Sequence, residues 1–262
     1  MAGGEAGIAL ITGASEGIGR ALAHVFARHG HPVALSARNG ERLESLAAEI
    51  RERHGVEAWC FAADLAPLEG AATLHRAVTA AGLEIEILVN NAGFGLYGAF
   101  LDRTASEHAE LIGVNIAAPT RLCHLFGREM SARGRGRILN VASTVAFLPG
   151  PMMATYFASK AYLFRLSEAL GEELAGSGVS VTCLCPGLTK SRFHERAGLA
   201  GSNLLRFTQA SAESVAEAGY RGLMAGRTVV LPGLRNQLAP LSERLLPRAV
   251  MRRVIHFFMR RR

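Results

Sequence analysis

The chain has 262 residues, 49% hydrophobic and 19% charged, a composition that excludes an intrinsically disordered protein. No apolar run reaches the ~18 residues that cross a bilayer, and the opening "MAGGEAG" has no signal-peptide pattern, so we expect a cytoplasmic protein. Eight arginines and one acid lie within residues 235–262, so this tail carries the whole net charge of +7 and the neutral body argues against nucleic-acid binding.

Cysteine and histidine spacing gives no sign of a metal site. The four cysteines include no Cys-x-x-Cys pair, and the nine histidines include no His-x-x-x-His pair. Cys183 and Cys185 lie two apart in a strand-like segment, where buried thiols are expected. We therefore expect no bound metal.

Short apolar segments alternate with longer amphipathic segments along the chain. Strands are predicted at 7–13, 31–38, 57–65, 84–93, 135–143, 178–187 and 227–233. Helices are predicted at 17–30, 40–54, 67–81, 103–132 with a kink at Pro119, around Tyr156 and Lys160, and at 212–226. This alternation predicts a single α/β domain over 1–234, with a doubly wound parallel seven-stranded sheet of the Rossmann type. Residues 235–262 form a basic, amphipathic C-terminal extension.

A glycine-rich loop, "TGASEGIG" (12–19), joins the first predicted strand to the first helix. Backbone N–H groups at such a helix start can hold the pyrophosphate of a dinucleotide. The spacing is G-x-x-x-G-x-G, and glycine triples also occur in ordinary turns. The strand–loop–helix context favours a cofactor site.

The end of the second strand, Ser36-Ala37-Arg38, bears on the choice of cofactor. Dinucleotide folds that select NAD usually end this strand with an acid that accepts from the ribose 2′-OH. Ala37 takes that place, and Arg38 either pairs with a 2′-phosphate or faces solvent. We predict NADP(H).

The stretch "TYFASKAY" (155–162) places Tyr156 and Lys160 four residues apart, on one face of a helix. Taken alone, such a pair is most often a solvated helix face. A carbonyl that accepts hydride needs a proton donor, and a free phenol with a pKa of about 10 is poorly matched to neutral pH. A fixed ammonium lowers that pKa, so we predict that Lys160 tunes Tyr156.

In their order and spacing, these motifs resemble the classical short-chain dehydrogenase/reductase family over about residues 7–233. The resemblance rests on "TGASEGIG", "NNAG" (90–93), Asn115 in "GVNI", Ser143 in "NVAST", "YFASK" (156–160) and "PG" (186–187). It implies a catalytic tetrad of Asn115, Ser143, Tyr156 and Lys160. In it Ser143 donates to the carbonyl oxygen, Asn115 kinks its helix and holds a relay water, and Lys160 also grips the nicotinamide ribose.

The same resemblance implies the parts of a dinucleotide site. The pyrophosphate would be held by Gly13, Ser15, Gly17, Ile18 and Gly19. Asp64 would meet the adenine, and Asn90 and Gly93 would border the adenosine ribose and stabilise the sheet. Pro186 and Gly187 would lie by the nicotinamide, with Thr189 or Ser191 on its carboxamide. Family members commonly form homodimers or homotetramers, which we expect here by analogy.

Loops at the carboxyl ends of the strands are expected to line the substrate pocket. The candidates are Phe94, Leu96, Phe147 and Met153, together with Tyr97, Leu148, Pro149 and Met152. These side chains either favour a hydrophobic carbonyl compound or pack the core. Residues 189–207 would form a lid, whose Arg192, Arg196 and Arg206 meet an anionic group or face water.

The tail contains one further amphipathic helix. On a helical wheel, one side holds Val250, Met251, Val254, Phe257 and Phe258, and the other side holds Arg252, Arg253, His256 and Arg260. A 13-residue helix of ~20 Å is too short to span hydrocarbon. It either packs on the body or a partner subunit, which we favour, or lies on an anionic membrane surface, or is disordered.

Two functions fit this sequence. The first is an NADPH-dependent oxidoreductase that interconverts a hydrophobic or lipid-like carbonyl compound and an alcohol. The second is a dinucleotide-sensing or scaffold protein whose tail docks to a membrane or a partner. The complete tetrad favours the enzyme, since a sensor has no need of it.

Overall fold

A computed structural model describes residues 6–190, 193, 197–199, 209–238, 240 and 247–259. The strands are β1 (Ile8–Thr12), β2 (Val33–Ala37), β3 (Ala58–Ala62), β4 (Ile85–Asn90), β5 (Gly136–Val141), β6 (Val179–Leu184) and β7 (Val229–Val230). The α-helices among these residues are α1 (Gly17–Arg28), α2 (Gly40–His54), α3 (Gly70–Ala80), α4 (Ala105–Ile112), α5 (Ala118–Arg133), α6 (Ala154–Glu173), α7 (Ala212–Met224) and α8 (Arg248–Met259). The predicted alternation of strands and helices is confirmed.

The strands form one parallel sheet in the order β3-β2-β1-β4-β5-β6-β7. At its centre Leu10 of β1 pairs with Ala34 of β2 on one side and Leu88 of β4 on the other. The chain reverses its direction of travel across the sheet between β1 and β4. In an open parallel sheet a crevice opens at that point, outside the carboxyl ends of the strands.

Both faces of the sheet are covered by helices, which is why its strands are apolar without alternation. On one face Phe26 of α1 and Leu43 of α2 lie in a fully buried cluster. On the other face Leu74 of α3 and Phe126 of α5 do the same. The predicted doubly wound sheet is confirmed, and it holds the loops of the crevice on a rigid base.

The long helix predicted at 103–132 is instead two helices joined by a π-helical turn, Gly113–Ala117. Pro119 lies in the first turn of α5, and it has no N–H to donate to the carbonyl of Asn115 four residues earlier. The break in the helix therefore precedes the proline and contains Asn115. A π-helical turn is rare and frequently marks a functional site.

The seventh strand is shorter than the predicted 227–233. Only Val229 and Val230 pair with the end of β6, at Cys183 and Leu184. The strand lies at the sheet edge, and Pro232 has no N–H with which to continue the ladder.

Helix α8 packs on the body. Met251 and Met259 are buried, and the Tyr97 hydroxyl donates to the Met259 carbonyl at 2.6 Å. The expectation that the whole apolar side of this helix packs on the body was partly wrong, because Val250, Val254 and Phe257 on that side are exposed. The helix is turned so that its 251–255–259 row faces inward. No helix in the described part of the chain is long and apolar enough to cross a membrane.

Candidate active site

A cavity of ≈ 790 Å³ follows the carboxyl ends of the strands, from the glycine loop to α8. This size suits a cofactor together with a small substrate. Most of the predicted cofactor residues line it: Gly13, Ser15, Gly17, Ile18, Gly19, Arg38, Asp64, Gly93, Tyr156, Lys160, Pro186, Gly187 and Thr189. The loops that follow the carboxyl ends of the strands therefore line a single site.

The glycine loop is held against the loop that follows β4. The Thr12 hydroxyl accepts from the backbone N–H groups of Asn91 and Ala92 at 3.0 and 3.1 Å, and Asn91 Nδ2 donates to the Thr12 carbonyl at 2.9 Å. Gly13 has φ +65°, and a Cβ there would lie 2.9 Å from the Ala92 Cα. A Cβ on Gly19 would overlap the Gly13 carbonyl oxygen. The two glycines are required for this close approach.

The first turn of α1 opens onto the cavity. Its N-cap residue, Glu16, makes no side-chain cap bond, and its carboxylate instead pairs with Arg42 at 3.3 Å. The N–H groups of this turn have no intrahelical partners, and the helix dipole adds positive potential there. The residues present thus fit a dinucleotide pyrophosphate.

The end of the cavity beyond β2 carries two arginines. Arg38 follows β2 and lies 3.6 Å from the carboxylate of Glu110, and Arg42 is in the first turn of α2. Asn39 caps α2 by accepting from the Arg42 N–H at 2.8 Å, which fixes the turn between the two arginines. Both guanidinium groups are partly exposed at the cavity edge.

Tyr156 projects from the first turns of α6 and is buried beside Ser143. Burial raises the pKa of the Tyr156 phenol, and its hydrogen bond with Ser143 acts in the opposite direction. The Ser143 hydroxyl donates to the Pro186 carbonyl at 3.3 Å and accepts from the Val145 N–H at 3.3 Å. These bonds hold Ser143 at the end of β5, between the phenol and the loop after β6.

Lys160 lies one turn along α6 and is also buried. Its Nζ donates to the Val141 carbonyl at 2.8 Å and is 5.9 Å from the centre of the Tyr156 ring. Burial lowers the pKa of Lys160 to about 8. The expected lowering of the Tyr156 pKa by this cation is not found, because burial of the phenol raises that pKa.

Asn115 does not line the cavity and instead supports it from the π-helical turn. Its Nδ2 donates to the Ser159 hydroxyl at 3.0 Å, and that hydroxyl donates to the Tyr156 carbonyl at 2.7 Å. Gly93 lies against this group, since a Cβ there would be 3.2 Å from Asn115 Oδ1 and 3.4 Å from Lys160 Nζ. The predictions missed Ser159, whose only signal is a small polar residue between Tyr156 and Lys160.

Of the two roles expected of Asn90, the support of the sheet is found and the place beside the cofactor cavity is not. Asn90 does not line the cavity but lies buried within the sheet, where Nδ2 donates to Asn140 Oδ1 at 2.9 Å. Asn140 in turn donates to the Ser167 hydroxyl at 2.9 Å. The neighbouring Asn91 faces the cavity in its place, because successive residues at the end of a strand point to opposite sides.

The predicted substrate residues divide in two groups. Phe94, Leu148 and Met153 line the cavity. The others do not line it: Leu96, Tyr97, Phe147, Pro149 and Met152. Phe147, for example, packs edge-on against Phe164, with ring centres 4.7 Å apart. The predicted lid residues Ser191, Arg192, Arg196 and Arg206 lie outside the described residues.

The wall around Tyr156 is apolar, and part of it comes from segments that the motifs do not mark. The additional apolar lining side chains are Val145, Phe157, Phe193, Leu199, Ile255, Phe258 and Met259. The last three belong to α8. Of these three, only Phe258 was on the predicted apolar side of the tail helix, and no motif links that helix to the site.

Comparison with known proteins agrees with this geometry. The family model for the short chain dehydrogenases matches residues 7–200. A very-long-chain 3-oxoacyl-CoA reductase from Laccaria bicolor is 35% identical over 175 residues, which are 66% of this chain and 52% of that protein. The first curated relatives are longer than this chain, which covers between 30% and 53% of their length.

Solved structures match over nearly the whole chain. A short-chain dehydrogenase from Sphingobium yanoikuyae in complex with NADPH is 34% identical, with a TM-score of 0.82 and coverage of 88% of this chain and 90% of that one. The bulky-bulky ketone specific alcohol dehydrogenase from Comamonas testosteroni is 31% identical (TM-score 0.78, 92% and 94%). A short-chain dehydrogenase/reductase from Burkholderia phymatum in complex with NAD is 26% identical (0.81, 94% and 94%). The chain therefore belongs to the short-chain dehydrogenase family of oxidoreductases.

Proposed function

We propose that this oxidoreductase uses NADP(H) to interconvert a bulky, hydrophobic ketone or aldehyde and its alcohol. The observation that carries the proposal is the single cavity, which joins a dinucleotide cradle to Ser143, Tyr156 and Lys160 and then to an apolar wall. A bound nicotinamide cofactor supplies the hydride in this chemistry. The protein's task is to place the carbonyl and to handle the proton.

In the reductive direction, Tyr156 delivers a proton to the oxygen of the carbonyl as hydride arrives at its carbon. A phenol whose pKa is raised by burial is protonated at neutral pH and is ready to donate. Ser143 donates to the same oxygen as negative charge builds on it. The Lys160 ammonium, 5.9 Å from the ring, favours the phenolate that remains.

The choice of NADP rests on the arginines at the cavity edge. Arg38 and Arg42 line the cavity beyond β2, and Ala37 stands where an acid would select NAD. A 2′-phosphate would compete with the carboxylates of Glu110 and Glu16 for these guanidinium groups and form charge-assisted bonds. The NADPH complex of the Sphingobium relative supports this choice, whereas the Burkholderia relative binds NAD.

The size of the substrate is inferred from the apolar wall. Phe94, Leu148, Met153, Phe258 and Met259 offer no charge to a carboxylate or phosphate near the phenol. The relatives named for a bulky ketone and for a long-chain 3-oxoacyl thioester support a substrate of this class.

Steady-state oxidation of NADPH and NADH tests the proposal. We expect turnover with apolar ketones, aldehydes or 3-oxoacyl thioesters, a preference for NADPH, and loss of turnover in Tyr156→Phe with cofactor binding retained. The alternative, a dinucleotide sensor or scaffold, predicts tight NADPH binding with no turnover, unchanged in Tyr156→Phe.

Three further expectations stay predictions. They are a cytoplasmic location, homodimeric or homotetrameric assembly, and the domain boundary at 234.

A further inference from the structure

Helix α8 is apolar over more than half of its circumference, and the body covers only part of that surface. Met251 and Met259 are buried against the body. Val250, Val254 and Phe257 are 46%, 42% and 62% exposed. At 100° per residue these three side chains fall within an arc of about 60°, so they form one outward stripe. An apolar stripe of this kind, with polar residues beside it, marks an interaction surface.

The charges of α8 are all positive. Arg248, Arg252 and Arg253 are exposed, and the helix sequence RAVMRRVIHFFM contains no acid. At 100° per residue Arg253 lies beside the stripe, whereas Arg248 and Arg252 lie on the other side of the helix. The tail as a whole holds eight arginines and one acid, while the body is neutral. An anionic lipid bilayer complements this helix best. Its negative headgroups attract the positively charged tail, and its hydrocarbon lies directly beneath them to receive the apolar stripe.

A second apolar segment is anchored to the end of the same helix. Tyr97, which donates to the Met259 carbonyl, is followed by Phe100 and Leu101, and the Leu101 side chain is 91% exposed. Four residues span at most about 14 Å, so Leu101 stays near the anchored end of α8.

We propose that the outer face of α8, formed by Val250, Val254 and Phe257 and flanked by Arg253, docks on the surface of an anionic lipid bilayer. A second copy of the chain is a poorer occupant, because two tails of the same high positive charge repel each other. The inner face of the docked helix remains a wall of the cavity. The inference about docking does not depend on the proposed function, and its test needs no turnover.

Vesicle flotation of the full chain is the first experiment. Phosphatidylcholine vesicles with and without phosphatidylglycerol are mixed with the protein and floated on a density gradient. We expect flotation with the anionic vesicles, little with pure phosphatidylcholine, and a decrease as added salt screens the arginines. A full chain that stays at the bottom with anionic vesicles at low salt would overturn the proposal.

Paired variants identify the surface. Val254→Asp with Phe257→Asp removes the stripe, and Leu68→Asp is the matched control, because Leu68 is an exposed apolar residue outside the tail.

Arg252→Gln with Arg253→Gln removes two charges and should weaken the partition coefficient roughly 30-fold, at about fivefold per charge. Arg53→Gln with Arg76→Gln is its control on the body. None of these residues lines the cavity, so circular dichroism and NADPH turnover should be unchanged.

The outcomes separate the occupants of this face. Loss of flotation in both tail variants and not in the controls supports lipid docking. Equal loss in Leu68→Asp, or flotation that survives both tail variants, contradicts it. If the aspartate variant instead converts an oligomer to a monomer in light scattering and the full chain does not float, the face is a contact between copies and the proposal is wrong.

Discussion

The side-chain amide of Asn115 holds the backbone of Phe94 at both of its polar groups. Nδ2 donates to the Phe94 carbonyl at 3.0 Å, and Oδ1 accepts from the Phe94 N–H at 3.1 Å. Phe94 lines the cavity in the loop after β4, and Asn115 lies in the π-helical turn between α4 and α5. The irregular turn thus fixes one wall of the site from behind.

Replacing Asn115 by alanine tests this support. The change leaves the backbone groups of Phe94 and the Ser159 hydroxyl without their amide partner, and a buried unpaired polar group costs about 1–3 kcal/mol. We expect the free energy of unfolding to fall by about 2–4 kcal/mol and kcat/KM to fall with it. Urea denaturation measures the first quantity.

The matched control for this variant is Thr120→Ala. The Thr120 hydroxyl donates to the Ile116 carbonyl one turn back, close to the same π-helical turn. It also shares an exposed hydrogen bond of 3.0 Å with the Tyr162 hydroxyl. Its loss should cost under about 1 kcal/mol, because both bonds are partly solvated. Equal urea midpoints for the two variants would show that the Asn115 bonds stabilise the fold no more than the Thr120 bonds do.

The buried ammonium of Lys160 makes stability depend on pH. Burial lowers its pKa from the ordinary value of 10.5 to about 8. Between these values the unfolded chain holds a proton that the folded chain has released, so stability rises with pH in this window. From pH 7 to pH 9.5 the contribution amounts to about 2 kcal/mol, at ~1.4 kcal/mol per pH unit in the window.

Lys160→Met isolates this contribution, since it removes the titrating group and keeps an unbranched apolar stem. We expect the wild-type chain to gain about 2 kcal/mol relative to Lys160→Met between pH 7 and pH 9.5, measured by urea unfolding. Tyr156, whose pKa is raised, acts in the opposite sense above pH 10, where the unfolded phenol ionises first. A difference between the two chains that does not change with pH would mean that Lys160 is not desolvated.

The fold could be predicted from sequence because each strand of a sheet covered on both faces is a continuous apolar run between turn signals. The right-handed crossovers expected of such a sheet place helices on both of its faces. The register was not predicted, and the pairing of β1 with β4 shifts between Ile8 and Ala9. The family resemblance implied a kink at Asn115, and the break in the helix does contain it. Its π-helical form could not be predicted, since Gly113–Ala117 continues the helical period on both sides. Only its hydrogen-bond pattern differs, and that is decided by the contacts of Asn115 with Phe94 and Ser159.

The glycine loop of the cavity could be predicted because a close approach of backbone to backbone next to a strand end needs residues without a Cβ, as at Gly13 and Gly19. The apolar wall formed by α8 could not be predicted, because any apolar side chain can fill a position in such a wall. Ile255 and Phe258 reach the cavity from a helix more than 90 residues away from Tyr156. No local pattern shows that the tail turns its 251–255–259 row toward the site and leaves Val254 outside.

Gly19→Ala should be among the most damaging single-methyl changes in the chain. The new Cβ would overlap the backbone carbonyl of Gly13, which cannot move without shifting the loop. We expect a loss of roughly 1–3 kcal/mol of stability and much weaker NADPH binding, measured by thermal unfolding and by nucleotide fluorescence. Gly171→Ala in α6 is the control, because its Cβ finds only ordinary contact and alanine favours a helix. If both variants bind NADPH equally, the loop is not the pyrophosphate site.

Arg38→Ala tests the choice of cofactor. Loss of a guanidinium that bonds the 2′-phosphate should lower kcat/KM for NADPH roughly 10- to 100-fold, as for other bonds between charged groups, and leave NADH nearly unchanged. Arg76→Ala, an exposed arginine of α3 outside the cavity, should change neither value. A parallel fall with both cofactors would show that Arg38 acts on the fold of the loop and not on the phosphate.

Two adjacent phenylalanines in α8 offer a test of the substrate wall. Phe258 lines the cavity, whereas Phe257 is 62% exposed and does not line it. Phe258→Ala removes apolar surface from the binding site, and each buried CH₂ is worth about 0.8 kcal/mol. We therefore expect kcat/KM for a bulky apolar ketone to fall at least about tenfold, with the NADPH dissociation constant unchanged, since the cofactor residues lie at the other end.

Phe257→Ala, assayed in vesicle-free buffer, should leave both kinetic constants as they are. A small ketone that does not reach the far wall should be reduced equally well by both variants, which separates lost contact from general damage to α8. If Phe258→Ala and Phe257→Ala have the same effect on the bulky substrate, the substrate does not touch α8. The apolar wall would then serve only to pack the tail against Tyr97 and Met153.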